Sequence, residues 1–296
     1  MTDHSPLRSA WTDSMAQGRH PDAAALRAHL RTVHRDHAGF TEGCARACRD
    51  AQGRNSYEWL AEIVVPGRHR SVLDLACGSG PLLETLHARQ PGLALTGVDM
   101  SPDELALARG RVPAAAATLI EVEAQSMAML ADGAFDVVLC HWALTLMDPV
   151  GPVLDEVRRV LAPGGCFAAL VDGPMDAAPG YAAAHDLIYG HVQRELPGYG
   201  AVDLGDPRVR GAASLSDLVR AAFPGTAVRI DSSVVTLDGA PDTVAAAAAG
   251  FFYAAFVLSP QRRTRMLTDL AQILRIPGDP NRARFDMPVN RLVVQV

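Results

Sequence analysis

The sequence predicts an α/β fold in which a doubly wound, mostly parallel sheet carries helices on both faces. One observation is an alternation of helical patterns with apolar, strand-like runs near residues 71–75, 93–98, 117–122, 135–140 and 165–171. Strands that alternate with helices favour a parallel sheet. Two further observations are a glycine-rich turn directly after the first run and an acidic residue, Asp99, at the end of the second. In such sheets, ligands bind at the carboxyl ends of the strands.

The segment before this alternation is predicted to be helical in pieces. Residues 1–20 are polar and are expected to fray. Residues 22–65 contain short helical patterns, the first capped by Asp22 and the last by Asn55 or Ser56.

The segment after Asp172 is predicted to contain four helices and the last two strands. Residues 173–212 are rich in Gly, Pro and Tyr, and Ser214 is expected to cap a helix that ends near Phe223. The other helices are expected near residues 182–195, 242–258 and 260–275, and the strands at 228–237 and 285–296.

Composition disfavours a nucleic-acid or membrane partner. The 296 residues are 49% hydrophobic, the formal net charge is -6, and all 27 basic residues are arginine, which excludes a lysine base. A net-acidic chain without a basic run is poorly suited to a phosphate backbone. The longest apolar run, residues 244–258, is too short to span a bilayer. Five scattered cysteines and no secretory signal pattern predict a cytoplasmic protein with reduced thiols. The Ala-, Gly- and Arg-rich composition suggests a GC-rich bacterial genome.

The most informative segment is the turn after the first strand, with the sequence Val72-Leu-Asp-Leu-Ala-Cys-Gly-Ser-Gly80. Glycines at 78 and 80 leave no Cβ between the backbone and a ligand, and Pro81 suits the first turn of a helix. An acid about 20 residues past such a loop, here Asp99, commonly binds a ribose. A dinucleotide fingerprint needs a third glycine where this chain has Leu83, so a nicotinamide oxidoreductase is disfavoured.

These motifs resemble those of the class I S-adenosylmethionine (SAM) methyltransferases. The turn is similar to their D-x-G-x-G-x-G motif, with Ala76 in place of the first glycine. Three more strings follow in the family's order: Val98-Asp-Met-Ser-Pro102, Phe135-Asp-Val-Val-Leu-Cys-His141 and Val157-Arg-Arg-Val-Leu-Ala-Pro-Gly-Gly165. Residues 70–172 most resemble the small-molecule group called methyltransferase type 11. The resemblance implies a Rossmann-like, seven-stranded, mostly parallel sheet with an antiparallel last strand. It also implies SAM as cofactor, with S-adenosyl-L-homocysteine as product.

The resemblance implies roles for residues at the carboxyl edge of the sheet. Asp99 would take the ribose hydroxyls, with Met100 against the adenine, and Asp74 would support the loop or the ammonium group. Ala124 stands where the family often has an acid, so Gln125 is expected to read the adenine instead. The full set of expected cofactor contacts is Arg54, Asn55, Asp74, Ala76, Cys77, Gly78, Ser79, Gly80, Asp99, Met100, Ala124, Gln125, Ser126, Cys140 and His141. Arg54 and Asn55 would reach the SAM carboxylate.

His141 is the best-placed candidate for a catalytic base, because a histidine suits proton transfer near neutral pH. The alternative is a structural histidine, with positioning of the reactants supplying most of the acceleration. Cys140 is expected to be a buried, inert thiol. Candidate substrate residues, each of which could instead serve packing, are Trp142, Tyr181, His185 and Tyr253.

No metal site is expected. Cys44 and Cys48 share a helical face, and histidines lie nearby, but no second pair completes a zinc pattern.

The predicted organisation has four segments. These are a helical N-terminal cover (1–65), a SAM-binding core (66–172), a substrate-covering insertion (173–212) and a C-terminal completion of the core with inserted helices (213–296). The predicted function is methyl transfer to a small-molecule acceptor, in bacterial secondary metabolism, by a monomer or homodimer. Alternatives are a SAM-binding protein of this fold that catalyses a non-methylating reaction and, less favoured, a nucleic-acid methyltransferase.

Overall fold

The computed structural model describes residues 6–296 and confirms the predicted α/β fold. The strands are β1 (Ser71–Leu75), β2 (Ala94–Asp99), β3 (Ala117–Glu121), β4 (Phe135–His141), β5 (Leu161–Asp172), β6 (Ala227–Gly239), β7 (Arg275–Ile276) and β8 (Asp279–Gln295). The strand order is β3-β2-β1-β4-β5-β8-β6, with β7 paired to β8. Strands β1 to β5 pair in parallel, whereas β8 is antiparallel to β5.

The sheet has eight strands, so the expected number of seven is wrong. The additional strand is β7, which has two residues and pairs with the start of β8. Two residues are too few to show an alternating pattern, so this strand has no signature in the sequence.

Eleven α-helices lie within the described residues. They are α1 (Ala10–Ala16), α2 (Ala23–Asp36), α3 (Glu42–Ala47), α4 (Ser56–Ala61), α5 (Pro81–Arg89), α6 (Pro102–Arg111), α7 (Gly151–Val160), α8 (Tyr181–Glu195), α9 (Ala212–Ala222), α10 (Pro241–Phe251) and α11 (Pro260–Ile273). Short 3₁₀ turns occupy Leu144–Leu146, Pro207–Val209 and Tyr253–Val257. In this part of the chain no helix is both long and apolar enough to cross a bilayer.

Helix caps explain where several helices begin. The expected caps Asp22 and Asn55 are confirmed, since their side chains accept from Ala25 N–H and Glu58 N–H, and Ser56 is the first residue of α4. The expected cap Ser214 is wrong, because α9 already begins after Gly211. The predicted helix over 242–258 is interrupted, because Phe252 takes extended dihedrals (φ -95°, ψ 117°).

Fraying over residues 1–20 is wrong for the part of that range that forms α1. Ser9 and Thr12 form a reciprocal capping box at its start. Trp11 and Met15 on this helix are buried, so apolar packing holds it. Residues 1–5 lie outside the described part.

The chain forms two compact units. Unit 1 holds the described part of Met1–Gly53, with Met175–Asp203 and Val234–Pro288. Unit 2 holds Arg54–Pro174, Leu204–Ser233 and Val289–Val296, and its core joins apolar side chains of β1, β4 and β5 to those of α7 and α9. The carboxyl ends of β1, β2 and β4 therefore lie in unit 2. The predicted division into four functional segments stays a prediction.

Candidate functional site

The glycine turn after β1 has a left-handed backbone at three positions. The φ angles are 56° at Ala76, 52° at Gly78 and 82° at Gly80, directly before α5 begins at Pro81. A side chain at Gly80 would also place its Cβ 3.1 Å from Ala108 Cβ. Glycine is thus required at 80 for packing as well as conformation. Ala76 takes a conformation that is uncommon for residues with a Cβ.

A side chain at Gly78 would contact one carboxylate. A Cβ built at Gly78 would meet Glu104 Oε2 at 3.8 Å, and no other described atom beyond the adjacent residues lies within 4 Å. Glu104 belongs to α6 and is itself buried. Glycine at 78 leaves no side chain on the turn at this position, which suits a ligand that approaches the backbone closely.

Gly97 in β2 leaves room for Leu83, the residue that stands where a dinucleotide fingerprint has its third glycine. A Cβ there would lie 2.8 Å from Leu83 Cδ1 and 2.9 Å from both Cys77 Sγ and Leu119 Cδ2. Leu83 thus packs into room that the missing side chain of Gly97 leaves. Sequence reasoning missed Gly97, because only the tertiary packing of α5 on β2 reveals its role.

Asp99 joins the turn to the end of β2. Its carboxylate accepts hydrogen bonds from Gly78 N–H (2.9 Å) and Ser101 N–H (2.8 Å). Cys77 N–H donates to Val98 C=O at 2.9 Å, so backbone and side chain tie the same two segments together. The structure therefore brings the two predicted motifs into direct contact.

Asp74 contributes a buried acceptor next to the turn. Its side chain is 1% exposed, and Oδ2 has no hydrogen-bond partner. Burial raises the pKa of Asp74 well above its usual value, and the charge of Asp99 raises it further. A buried carboxylate without a partner is costly, and a cationic group of a ligand would offset that cost.

Cys77 lies among three acidic side chains. Burial raises the pKa of its thiol well above the usual range, and the charges of Asp74, Asp99 and Glu104 raise it further. The charged side chains that act on this thiol are thus all acidic. This fits SAM, which carries a sulfonium and an ammonium group.

The loop after β3 lies beside Asp99. Val122 N–H donates to Asp99 C=O at 2.9 Å, and Gln125 is half-buried two residues after Glu123. Ser126 N–H donates to Glu123 C=O, and Ala124 packs against the core of unit 2. Glu123, the first acid after β3, was not among the expected cofactor contacts.

An ion pair on α7 fixes the rest of this loop. Glu156 Oε2 accepts from Met127 N–H at 2.6 Å, and Arg159 donates to the carbonyl oxygens of Met127 and Leu130. The hydrogen bond from Arg159 holds the pKa of Glu156 below its usual value. Neither residue was predicted, since they lie about 30 residues from the loop they hold.

His141 is a partly buried residue at the end of β4. Its Nε2 atom forms a 2.9 Å hydrogen bond with Ser56 Oγ, and its ring stacks on Tyr57 with centroids 3.9 Å apart. Burial lowers the pKa of His141 to about 3. The imidazole is therefore neutral at neutral pH and a weak base. Burial raises the pKa of the neighbouring Cys140 thiol to about 12.

Trp142 continues from β4 in a left-handed conformation, with φ 57°. Its backbone N–H donates to Leu170 C=O at 3.0 Å, and its backbone C=O accepts from Thr145 Oγ1 at 2.9 Å. These bonds hold the turn that carries the buried indole.

Arg54 and Asn55 are engaged by α4 itself. Arg54 forms an ion pair with Glu62 at 2.7 Å, and Asn55 exchanges capping bonds with Glu58. The structure therefore does not present either side chain as a preformed carboxylate site.

The other predicted substrate residues lie in unit 1. The Tyr181 ring packs against Phe252 and Phe285, and the His185 ring stacks on Tyr189 with centroids 4.1 Å apart. Tyr253 Oη lies 2.9 Å from His34 Nε2. Each thus has packing partners within its own unit.

Cysteines 44 and 48 are buried with their Sγ atoms 3.7 Å apart. No three His, Cys, Asp or Glu side chains are grouped as metal ligands within residues 6–296.

The region that contains this turn is similar to known methyltransferases. Residues 73–169 match the family model described as "Methyltransferase domain". Demethylmenaquinone methyltransferase of Thermus thermophilus is 34% identical over 139 residues, which cover 46% of this chain and 61% of that protein. Trans-aconitate 2-methyltransferase of Methylobacterium nodulans is 34% identical over 119 residues, covering 40% and 44%. The chain thus spans less than two thirds of either relative.

Solved structures share the fold over more of the chain. The [4+2]-cyclase SpnF has a TM-score of 0.58 at 19% identity and covers 93% of this chain and 97% of its own. Phosphoethanolamine N-methyltransferase 2 of Haemonchus contortus, in complex with SAM, has a TM-score of 0.53 at 14% identity and covers 89% and 58%. The predicted resemblance to the class I SAM-dependent methyltransferases is confirmed.

Proposed function

We propose that this protein, whose residues 73–169 match the methyltransferase domain model, binds SAM at the glycine turn and transfers its methyl group to a small-molecule acceptor. S-Adenosylhomocysteine is the second product. The observation that carries the proposal is the buried, unpartnered Oδ2 atom of Asp74 beside a turn that has glycine at position 78. This arrangement supports a ligand that brings positive charge close to the backbone.

The residues present fit SAM at both ends. Asp74 would hold the ammonium group, and Asp99 at the end of β2 would accept from the ribose hydroxyls. Half-buried Gln125 and the acid Glu123 lie on the loop beside Asp99 and would read the adenine. Met100, also half-buried, would contact the adenine face.

The chain would accelerate the reaction mainly by positioning. When bound, SAM supplies an electrophilic methyl group that an acceptor atom attacks in line with the sulfur. Holding two reactants in that geometry can remove about 7–11 kcal/mol of barrier. His141 is poorly matched to general-base work, because an efficient base has a pKa near the working pH and burial lowers its pKa to about 3. Its hydrogen bond with Ser56 and its stacking on Tyr57 support a structural role instead.

The acceptor is proposed to be a small molecule used in bacterial secondary metabolism. The two relatives are named for acting on demethylmenaquinone and trans-aconitate, which are both small molecules. The net charge of -6 without lysine supports this class over nucleic acids.

The cofactor assignment is tested by calorimetry with SAM, S-adenosylhomocysteine and NAD. We expect SAM and S-adenosylhomocysteine to bind and NAD not to bind. Binding of NAD alone would overturn the cofactor assignment. Transfer is then tested by measuring S-adenosylhomocysteine with a panel of small-molecule acceptors. Fold alone leaves the reaction open, since a protein named as a cyclase shares it. Acceptor turnover without S-adenosylhomocysteine would support the non-methylating alternative.

A further inference from the structure

Arg263 is a half-buried cation whose place in α11 the helix itself does not explain. The start of α11 carries Arg262, Arg263 and Arg265, and its first turn holds no acid. Positive charge at this end of a helix is unfavourable. Arg262 Nε lies 3.6 Å from Glu195 Oε1, and Arg265 is exposed to solvent. Arg263 is neither exposed nor paired, because no carboxylate among the residues that the structure describes forms an ion pair with it.

The guanidinium of Arg263 uses little of its hydrogen-bonding capacity within the described part of the chain. Its Nη1 atom donates to Ala255 C=O at 3.0 Å, and its Cζ atom lies 5.4 Å from the centre of the Phe256 ring. The other N–H donors of its planar fork remain for solvent or a ligand. Burial lowers the pKa of Arg263, and no neighbouring acid offsets that effect. A partly buried cation without a counter-ion is costly, so a bound anion would stabilise it.

The surroundings of this guanidinium are aromatic. The Phe256 ring packs against Phe40 with centroids 4.6 Å apart, and Phe40 packs against Tyr253 at 5.1 Å. Phe40 and Tyr253 are partly exposed, so their rings can contact a ligand. Aromatic side chains pack well against further rings, edge to face or offset. All of these residues belong to unit 1, so the cluster of one cation and several rings is complete within that unit.

We propose that Arg263 forms a binding site in unit 1 for the carboxylate of a small aromatic acid. The fork of a guanidinium matches a planar carboxylate through two parallel hydrogen bonds. One cation balances the single charge of a carboxylate, whereas a phosphate group would bring more negative charge than Arg263 alone neutralises. The ring of the acid packs on Phe40 and Tyr253. The site shares no residue with the glycine turn, so it goes beyond the proposed function.

The test measures benzoate binding by calorimetry, with benzamide as a neutral compound of the same shape. We expect benzoate to bind the unmodified protein with a Kd of about 1 mM and benzamide to bind at least about tenfold more weakly. Arg263→Gln should abolish benzoate binding. Arg265→Gln, the matched control, removes an exposed arginine of the same helix and should leave it unchanged. Absent benzoate binding, equal binding of benzamide, tighter binding of inorganic phosphate, or full benzoate affinity in folded Arg263→Gln would overturn the proposal.

Chemical labelling of the unmodified protein keeps the proposal testable if Arg263→Gln does not fold. Phenylglyoxal reacts with guanidinium groups, and peptide mass spectrometry follows each arginine separately. Benzoate at about five times its Kd should slow labelling of Arg263 about sixfold, because only the free fraction reacts. Labelling of Arg265 should not change, and benzamide should protect neither residue. An Arg263 that does not react, or that reacts equally fast with and without benzoate, would overturn the proposal.

Discussion

The Oδ2 atom of Asp99 lies 2.9 Å from the backbone nitrogen of Gly78. This single hydrogen bond connects the acid at the end of β2 to the middle of the glycine turn. The group proposed to hold the ribose thus also orders the backbone proposed to face the rest of the cofactor. Binding and loop geometry should consequently respond together to changes at residue 99.

Replacing Asp99 with alanine should weaken SAM and S-adenosylhomocysteine alike. Each charged hydrogen bond that is lost costs about 1.5–3 kcal/mol, and the turn loses the acceptor of Gly78 N–H. Asp99→Asn keeps one acceptor oxygen and should have a smaller effect. Calorimetry of both variants measures this, and full affinity in Asp99→Ala would remove the residue from the site.

Valine substitutions at Gly78 and Gly80 should have different consequences. At Gly78, where φ is 52°, valine would strain the backbone and place its Cβ 3.8 Å from Glu104 Oε2, so we expect loss of SAM binding with a smaller loss of stability than at Gly80. At Gly80 it would collide with Ala108, so we expect a lower melting temperature, by about 2–4 °C per kcal/mol of strain. Thermal unfolding and calorimetry on both proteins separate the two effects. Normal SAM binding by folded Gly78→Val would place the cofactor elsewhere.

Asp74→Asn should raise stability while reducing SAM affinity. Burial raises the pKa of Asp74, so the folded protein holds this proton more tightly than the unfolded chain, whose aspartate pKa is about 3.9. The stability that Asp74 contributes is therefore present below that value and is lost as pH rises through the raised folded pKa. We expect Asp74→Asn to have a higher melting temperature than the unmodified protein at neutral pH, and the same melting temperature at acidic pH. An advantage that is the same at every pH would contradict this cause.

SAM binding to the unmodified protein should also release a proton from Asp74 at any pH at which the ligand-free protein still holds that proton. A cation beside the carboxylate favours its charged form and lowers its pKa. The heat of binding, measured in buffers of different ionisation enthalpy, gives the number of protons released. In Asp74→Asn this heat should no longer differ between the buffers. A buffer-independent heat in the unmodified protein would argue against contact between Asp74 and the ligand.

His141→Ala should lower kcat by less than about tenfold, whereas loss of a general base typically costs about 10²–10⁴-fold. Ser56→Ala is the matched control, because it removes the same hydrogen bond and leaves the ring in place. Both variants should act mainly on KM for the acceptor and on stability. A much larger kcat loss in His141→Ala than in Ser56→Ala, with SAM affinity intact, would restore the catalytic role.

Local patterns predicted the framework of the site well. The strand, the glycine turn and Asp99 are close in sequence or fixed by the order of parallel strands, so their meeting follows from the fold. Gly97 could not be found this way, because its role depends on Leu83 reaching it from α5. The role of Glu156 in holding Met127 likewise depends on how α7 packs.

Neither compact unit is a continuous stretch of chain. Unit 2 takes its last strand segment, Val289–Val296, from beyond the final segment of unit 1, and that segment pairs with β5. During synthesis β5 therefore leaves the ribosome more than 100 residues before its antiparallel partner. Until then one side of β5 is an unpaired strand edge, which is a template for aggregation. Any shortened version that ends before residue 289 would leave that edge open permanently.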